Sequence, residues 1–121
     1  MISASQEDYL EFIYNSLKND KELRAVDVAN YFDITRPSAT EALIKLADND
    51  LIIYEGRRGI KITQKGINAA IKINNKHKIL FEFFTNKLNI NEKSANENAC
   101  RIEHVIDDEI IEKIALLNQE S

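Results

Sequence analysis

Glycine and proline are nearly missing from this chain: three glycines and one proline in 121 residues. Folds made of many tight turns need residues that accept positive φ or pre-set it. A chain this poor in them has few such turns and is predicted to be mainly α. Two of the three glycines, Gly56 and Gly59, bracket Arg57 and Arg58. The flanking runs 51–55 and 60–63 are rich in Ile, Tyr and Thr, so this segment reads as one β-hairpin. A single hairpin inside a helical chain leaves few architectures open.

Hydrophobic periodicity supplies the helices. Leu10, Ile13, Tyr14 and Leu17 form a stripe over 5–18, with Ser5 as its expected N-cap and Asp8 and Glu11 on the polar face. A short helix follows at 25–32, a tight connection at Asp33-Ile34, and a third helix over 35–48, capped by Thr35 and with Pro37 in its first turn. Two short helices joined so tightly, with the small Ala29 at their crossing, make a helix-turn-helix, and the hairpin behind them is its wing. Thr63 can cap a long helix to about residue 87. Helices at about 92–105 and 107–118 complete the chain. The last three helices carry more apolar surface than a small hairpin can hide, which predicts a homodimer. The expected domains are therefore a DNA-binding unit over 1–64 and an all-helical dimerisation unit over 65–121.

Charge sharpens this. The net charge is −4, which argues against indiscriminate nucleic-acid binding. Residues 35–65 nevertheless carry six basic and four acidic groups, while 1–34 and 66–121 are net acidic. The phosphate-facing surface is expected in the middle, with Lys45, Arg57, Arg58 and Lys61 as phosphate contacts. Arg36 can reach a phosphate or a guanine edge. No apolar run approaches the ~18–20 residues that span a bilayer, and the N-terminus lacks the signature of a secretory leader. A single cysteine fits a reducing compartment. A cytoplasmic protein without a membrane role is expected.

The chemistry is concentrated near the end. Cys100, Glu103 and His104 stand at i, i+3 and i+4, so a helix would place them on one face. The chain has one Cys and two His, and this segment holds the Cys and one His. Thiolate, imidazole and carboxylate suit Fe(II), Co(II), Ni(II) or Zn(II). Each residue has a dull reading as well: Asp8 as a capping-box carboxylate, Glu11 as part of a solvated face, Cys100 as a small buried apolar group, His77 as a surface imidazole, His104 as a dimer contact.

Five segments together resemble the diphtheria toxin repressor / manganese transport regulator family of metal-dependent repressors. They are Glu7-Asp8-Tyr9-Leu10-Glu11-Phe12-Ile13-Tyr14, Arg36-Pro37-Ser38-Ala39-Thr40, Ile62-Thr63-Gln64-Lys65-Gly66, Lys76-His77-Lys78-Ile79-Leu80 and Ala99-Cys100-Arg101-Ile102-Glu103-His104-Val105. The resemblance implies metal ligands at Asp8, Glu11, His77, Cys100, Glu103 and His104. It implies a recognition helix meeting the groove with Thr35, Pro37, Ser38, Thr40 and Glu41. In manganese-type members a Glu stands where this chain has Cys100. In iron-type members a Met stands where it has Asp8. The site is thus a hybrid. Of the iron type's ancillary site only His77 survives, since Phe81 and Asn96 occupy the other two ligand positions. The iron type's SH3-like C-terminal domain is expected to be absent.

The resemblance therefore implies a homodimeric repressor, not an enzyme, that binds double-stranded operator DNA under control of Fe(II) or Mn(II). Co(II), Ni(II) or Zn(II) would substitute in vitro. A winged-helix regulator not controlled by metal is the alternative.

Overall fold

The computed structural model describes residues 2–19 and 21–120. The chain divides into two compact units, residues 1–70 and 71–121.

The first unit holds three helices and a wing. Helix α1 (Ala4–Lys18) buries Leu10 and Ile13. Its cap is Ser3, not the Ser5 expected from sequence. Ser3 Oγ accepts from Gln6 N at 3.2 Å, and Gln6 Oε1 accepts from Ser3 N at 3.1 Å. This reciprocal pair satisfies two of the orphan donors at the helix start. The same bonds remove the capping-box explanation for Asp8.

Helix α2 (Ala25–Phe32) packs Val28 and Ala29 inward. Helix α3 (Arg36–Asp48) buries Ala39, Ala42, Leu43 and Leu46. Thr35 Oγ1 accepts from Ser38 N at 3.2 Å, the cap expected from sequence. Strands β1 (Ile52–Tyr54) and β2 (Ile60–Ile62) pair antiparallel, with Ile53 opposite Lys61. A 3-10 turn over Gly56–Arg58 joins them, with positive φ at Gly56 and Gly59. Ile60 N bonds to the Leu23 carbonyl at 3.0 Å, which ties the wing to the α1–α2 connection. Leu10, Ile13, Val28, Leu43, Leu46 and Ile52 sit in one core.

Helix α4 (Gln64–Glu82) begins at Thr63, whose Oγ1 accepts from Gly66 N at 3.0 Å and donates to the Asp50 carbonyl at 2.7 Å. A Cβ on Gly66 would lie 2.0 Å from the Leu51 carbonyl oxygen, so only glycine lets the helix start this close to β1.

The second unit continues α4 through a π-turn over Phe83–Lys87 and adds α5 (Glu92–Ile102) and α6 (Asp108–Asn118). Leu80, Ala99 and Ile111 form its core, with Phe84, Ile102 and Ile114 packed around them. Asn91 Oδ1 caps α5 by accepting from Ser94 N at 2.9 Å. Helix α5 ends at Ile102, three residues short of the sequence expectation, and a turn leads into α6. Val105, Ile110, Leu116 and Leu117 remain exposed on this unit, Val105 at 75%.

Asp33, Asp50 and Asn89 all take left-handed φ, between 54° and 60°, just past α2, α3 and the π-turn. Short polar side chains tolerate that region better than most. A chain with three glycines can end helices this way. The chain is thus mainly α, an N-terminal winged helix-turn-helix followed by a helical unit. Among the described residues no helix is long and apolar enough to cross a membrane.

Candidate metal centre and nucleic-acid surface

Helix α4 presents His77 toward the C-terminal end of α5. Its Nδ1 lies 2.9 Å from Glu103 Oε2 and 3.7 Å from Cys100 Sγ. One donor atom from each of His77, Cys100 and Glu103 falls within a 4.8 Å spread. Glu103 is the residue that ends α5, and its N–H still bonds to the Ala99 carbonyl at 2.9 Å. It therefore keeps the helical register with Cys100, although the regular helix has stopped. His104 stands in the turn, its Nε2 3.5 Å from Glu103 Oε1. The shared face expected from the i, i+3, i+4 spacing thus assembles from the last helical turn and the residues just past it.

Burial separates these groups from a solvated polar patch. The side chains of Glu103 and His104 are 1% and 5% exposed. A carboxylate that deep needs positive charge or donors around it, because desolvation penalises the anion. Two imidazoles flank it. Cys100 is exposed, so it is not the small buried apolar residue of the dull reading. His77 keeps 26% of its side-chain surface and engages both ring nitrogens, so it is no free-standing surface imidazole. Its Nε2 lies 2.9 Å from Asn96 Oδ1. A proton on Nε2 donated to Asn96 leaves Nδ1 as the nitrogen aimed at Cys100 and Glu103, the arrangement by which a second partner orients a metal-binding histidine. In the sequence Asn96 is legible only as a departure from a ligand position; its hydrogen bond to His77 cannot be read from spacing. Sulfur, nitrogen and oxygen donors so close together, with a buried carboxylate among them, fit a divalent transition metal.

Asp8 and Glu11 lie on α1 in the first unit, Asp8 exposed and Glu11 half-buried. The first unit also carries the basic surface. Along α3, Arg36, Pro37, Ser38, Glu41 and Lys45 are exposed and Thr40 is half-buried. Thr35 Oγ1 donates to Ser38 Oγ at 2.9 Å besides capping the helix, so both residues have a structural task. Glu41 pairs with Lys45 at 3.6 Å. That exposed pair gives Glu41 a partner one turn along the helix, independent of any base contact. On the wing Arg57, Arg58 and Lys61 are exposed, and Arg58 pairs loosely with Glu55 at 3.8 Å.

Two basic residues escape the sequence reading. Lys21 and Arg24 line a shallow cleft with Arg57, Arg58 and Lys61, and Arg24 also lines a second cleft with Arg36 and Arg57. They fall in the net-acidic N-terminal third, so local charge counting passes over them. The wing folding back to Leu23 brings them to the arginines.

The description "Iron dependent repressor, N-terminal DNA binding domain" matches residues 1–60. "Iron dependent repressor, metal binding and dimerisation domain" matches residues 63–120. The chain belongs to the diphtheria toxin repressor / manganese transport regulator family. Family members are metal-dependent transcriptional repressors, not enzymes. An uncharacterised HTH-type transcriptional regulator of Methanocaldococcus jannaschii is 38% identical over 116 residues, 95% of this chain and 93% of that one. The HTH-type transcriptional regulator MntR of Shouchella clausii is 30% identical over 119 residues, 98% of this chain and 82% of that one. The solved structure of the manganese regulator SloR superposes with a TM-score of 0.81 at 28% identity, over 95% of this chain. The present chain spans only 54% of that protein's length.

Proposed function

We propose that this protein is a homodimeric repressor whose binding to double-stranded operator DNA is switched on by a divalent metal, Fe(II) before Mn(II). The observation that carries the proposal is the convergence of His77, Cys100 and the buried Glu103 within 4.8 Å. It occurs in the unit matched by a metal-binding and dimerisation domain. Cys100 is the reason for placing Fe(II) first, since thiolate favours softer, later metals than Mn(II). The manganese relatives keep Mn(II) close behind.

His77, Cys100, Glu103 and His104 would hold the metal from the second unit, and Asp8 and Glu11 would add carboxylates from the first. A bound divalent cation supplies the positive charge that such a donor set lacks. Ligands drawn from both units make the occupied state favour one arrangement of the recognition helices over others, a population shift requiring a few kcal/mol of differential affinity, of order 5 for a near-complete switch. On DNA, Lys45, Arg57, Arg58 and Lys61 would meet phosphates and α3 would enter the major groove, with Thr35, Arg36, Pro37, Ser38, Thr40 and Glu41 at its surface. The exposed Val105, Ile110, Leu116 and Leu117 supply apolar area for the dimer. Such a regulator works in the cytoplasm.

Anaerobic equilibrium dialysis of the purified chain against Fe(II) or Mn(II) tests the site. The expected result is one or two metals per subunit, lost in Glu103→Gln. A wild-type chain that retains neither metal contradicts the proposal.

A further inference from the structure

Next to His77 on α4 stands Lys76, whose side chain is 17% exposed. Its Nζ donates to the Ile106 carbonyl at 3.1 Å and lies 3.0 Å from Asp108 Oδ1. Lys72, one turn earlier, meets the other oxygen of the same carboxylate at 2.8 Å. The turn between α5 and α6 carries Glu103 and His104. Its near end is fixed by the Glu103 N–H bond to Ala99, its far end by Lys76. One stretch of α4 therefore grips this turn twice, through His77 at Glu103 and through Lys76 at Ile106 and Asp108.

We propose that Lys76 is a positioning residue of the metal centre, holding the turn so that Glu103 and His104 stay beside His77. The inference rests on the metal-site reading above. Electrostatics alone gives the opposite expectation. An ammonium close to a cation site repels the cation, so removing it should tighten metal binding. A turn held in place by that ammonium should instead loosen its metal when the ammonium is removed, by about 10–100-fold, as for other groups that orient ligands. Lys72 is an internal control. It is 62% exposed and pairs with Asp108 across the surface, and exposed pairs of that kind contribute little.

The test is anaerobic competition of the full chain with a chelator for Co(II), read by affinity and by the Co(II) ligand-field spectrum. Wild type, Lys76→Met, Lys76→Arg and Lys72→Met are compared. Lys76→Met is expected to weaken Co(II) at least tenfold and alter its spectrum, Lys76→Arg to recover part of the loss, and Lys72→Met to stay near wild type. Should Lys76→Met fail to fold, Lys76→Gln carries the same test. Unchanged or tighter binding in the Lys76 variant overturns the inference while leaving the metal site standing. A wild-type chain that binds no Co(II) overturns the reading beneath it, and the inference falls with it.

Discussion

His77 Nδ1 stands 2.9 Å from Oε2 of Glu103, a carboxylate with 1% of its side chain exposed. An anion so buried costs free energy unless something positive answers it. Glu103→Gln keeps the shape and removes the charge. Stabilisation by bound metal amounts to about 2.7 kcal/mol at a hundred times Kd. Calorimetric unfolding with and without Fe(II) should show that increment in the wild type and almost none in Glu103→Gln.

Cys100 sets the metal preference in this account. Cys100→Ser replaces a soft donor by a hard one. DNA affinity measured against free metal should lose more sensitivity to Fe(II) and Co(II) than to Mn(II). Equal losses for all three would remove the thiolate from the selectivity argument.

The wing and the α1–α2 connection share a basic cleft. Deleting one cation that neutralises a phosphate should lower the slope of log affinity against log salt by about 0.9. Arg24→Ala and Arg57→Ala should each do so, weakening all DNA sequences alike. A variant that changes sequence preference but not the salt slope would assign that arginine to a base instead.

Lys72 and Lys76 hold the Asp108 carboxyl below its ordinary value of 3.8, first through their hydrogen bonds. A carboxyl depressed on folding adds stability above its unfolded pKa, and that contribution is lost as pH falls through the folded value. This group's contribution should therefore fall away as pH drops through about 4, where the unfolded carboxyl is about half protonated, and on toward the lower folded value. Asp108→Asn should show a flatter acid limb in denaturation against pH. The group is exposed, so high salt should shrink the difference.

Much of this architecture is legible in the residues. The hairpin follows from Gly56 and Gly59, the helix-turn-helix from apolar spacing and from Thr35 and Pro37. The start of α1 is not, because Ser3 and Ser5 are equally good caps by composition, and only the reciprocal partner Gln6 decides between them. Helix α5 stops early although no Gly or Pro marks its end. The Cys-x-x-Glu-His spacing is visible, but the approach of His77 depends on how α4 and α5 pack, which no local pattern encodes. The roles of Lys76, Lys21 and Arg24 are hidden for the same reason.

Gly66 illustrates a constraint of the same long-range kind. Its missing Cβ leaves room for the Leu51 carbonyl. Gly66→Ala should destabilise the first unit by about 1–3 kcal/mol, in line with other overpacked sites, and urea unfolding would measure it.

The central claim is that metal switches DNA binding on. The most direct test is anaerobic retention of genomic DNA fragments by the purified chain with chelator, Fe(II) or Mn(II). A small set of fragments should be retained only when metal is present, and best with Fe(II). Retention of the same fragments under chelator would contradict that claim, leaving a winged-helix regulator whose Cys100, Glu103 and His104 serve the fold alone.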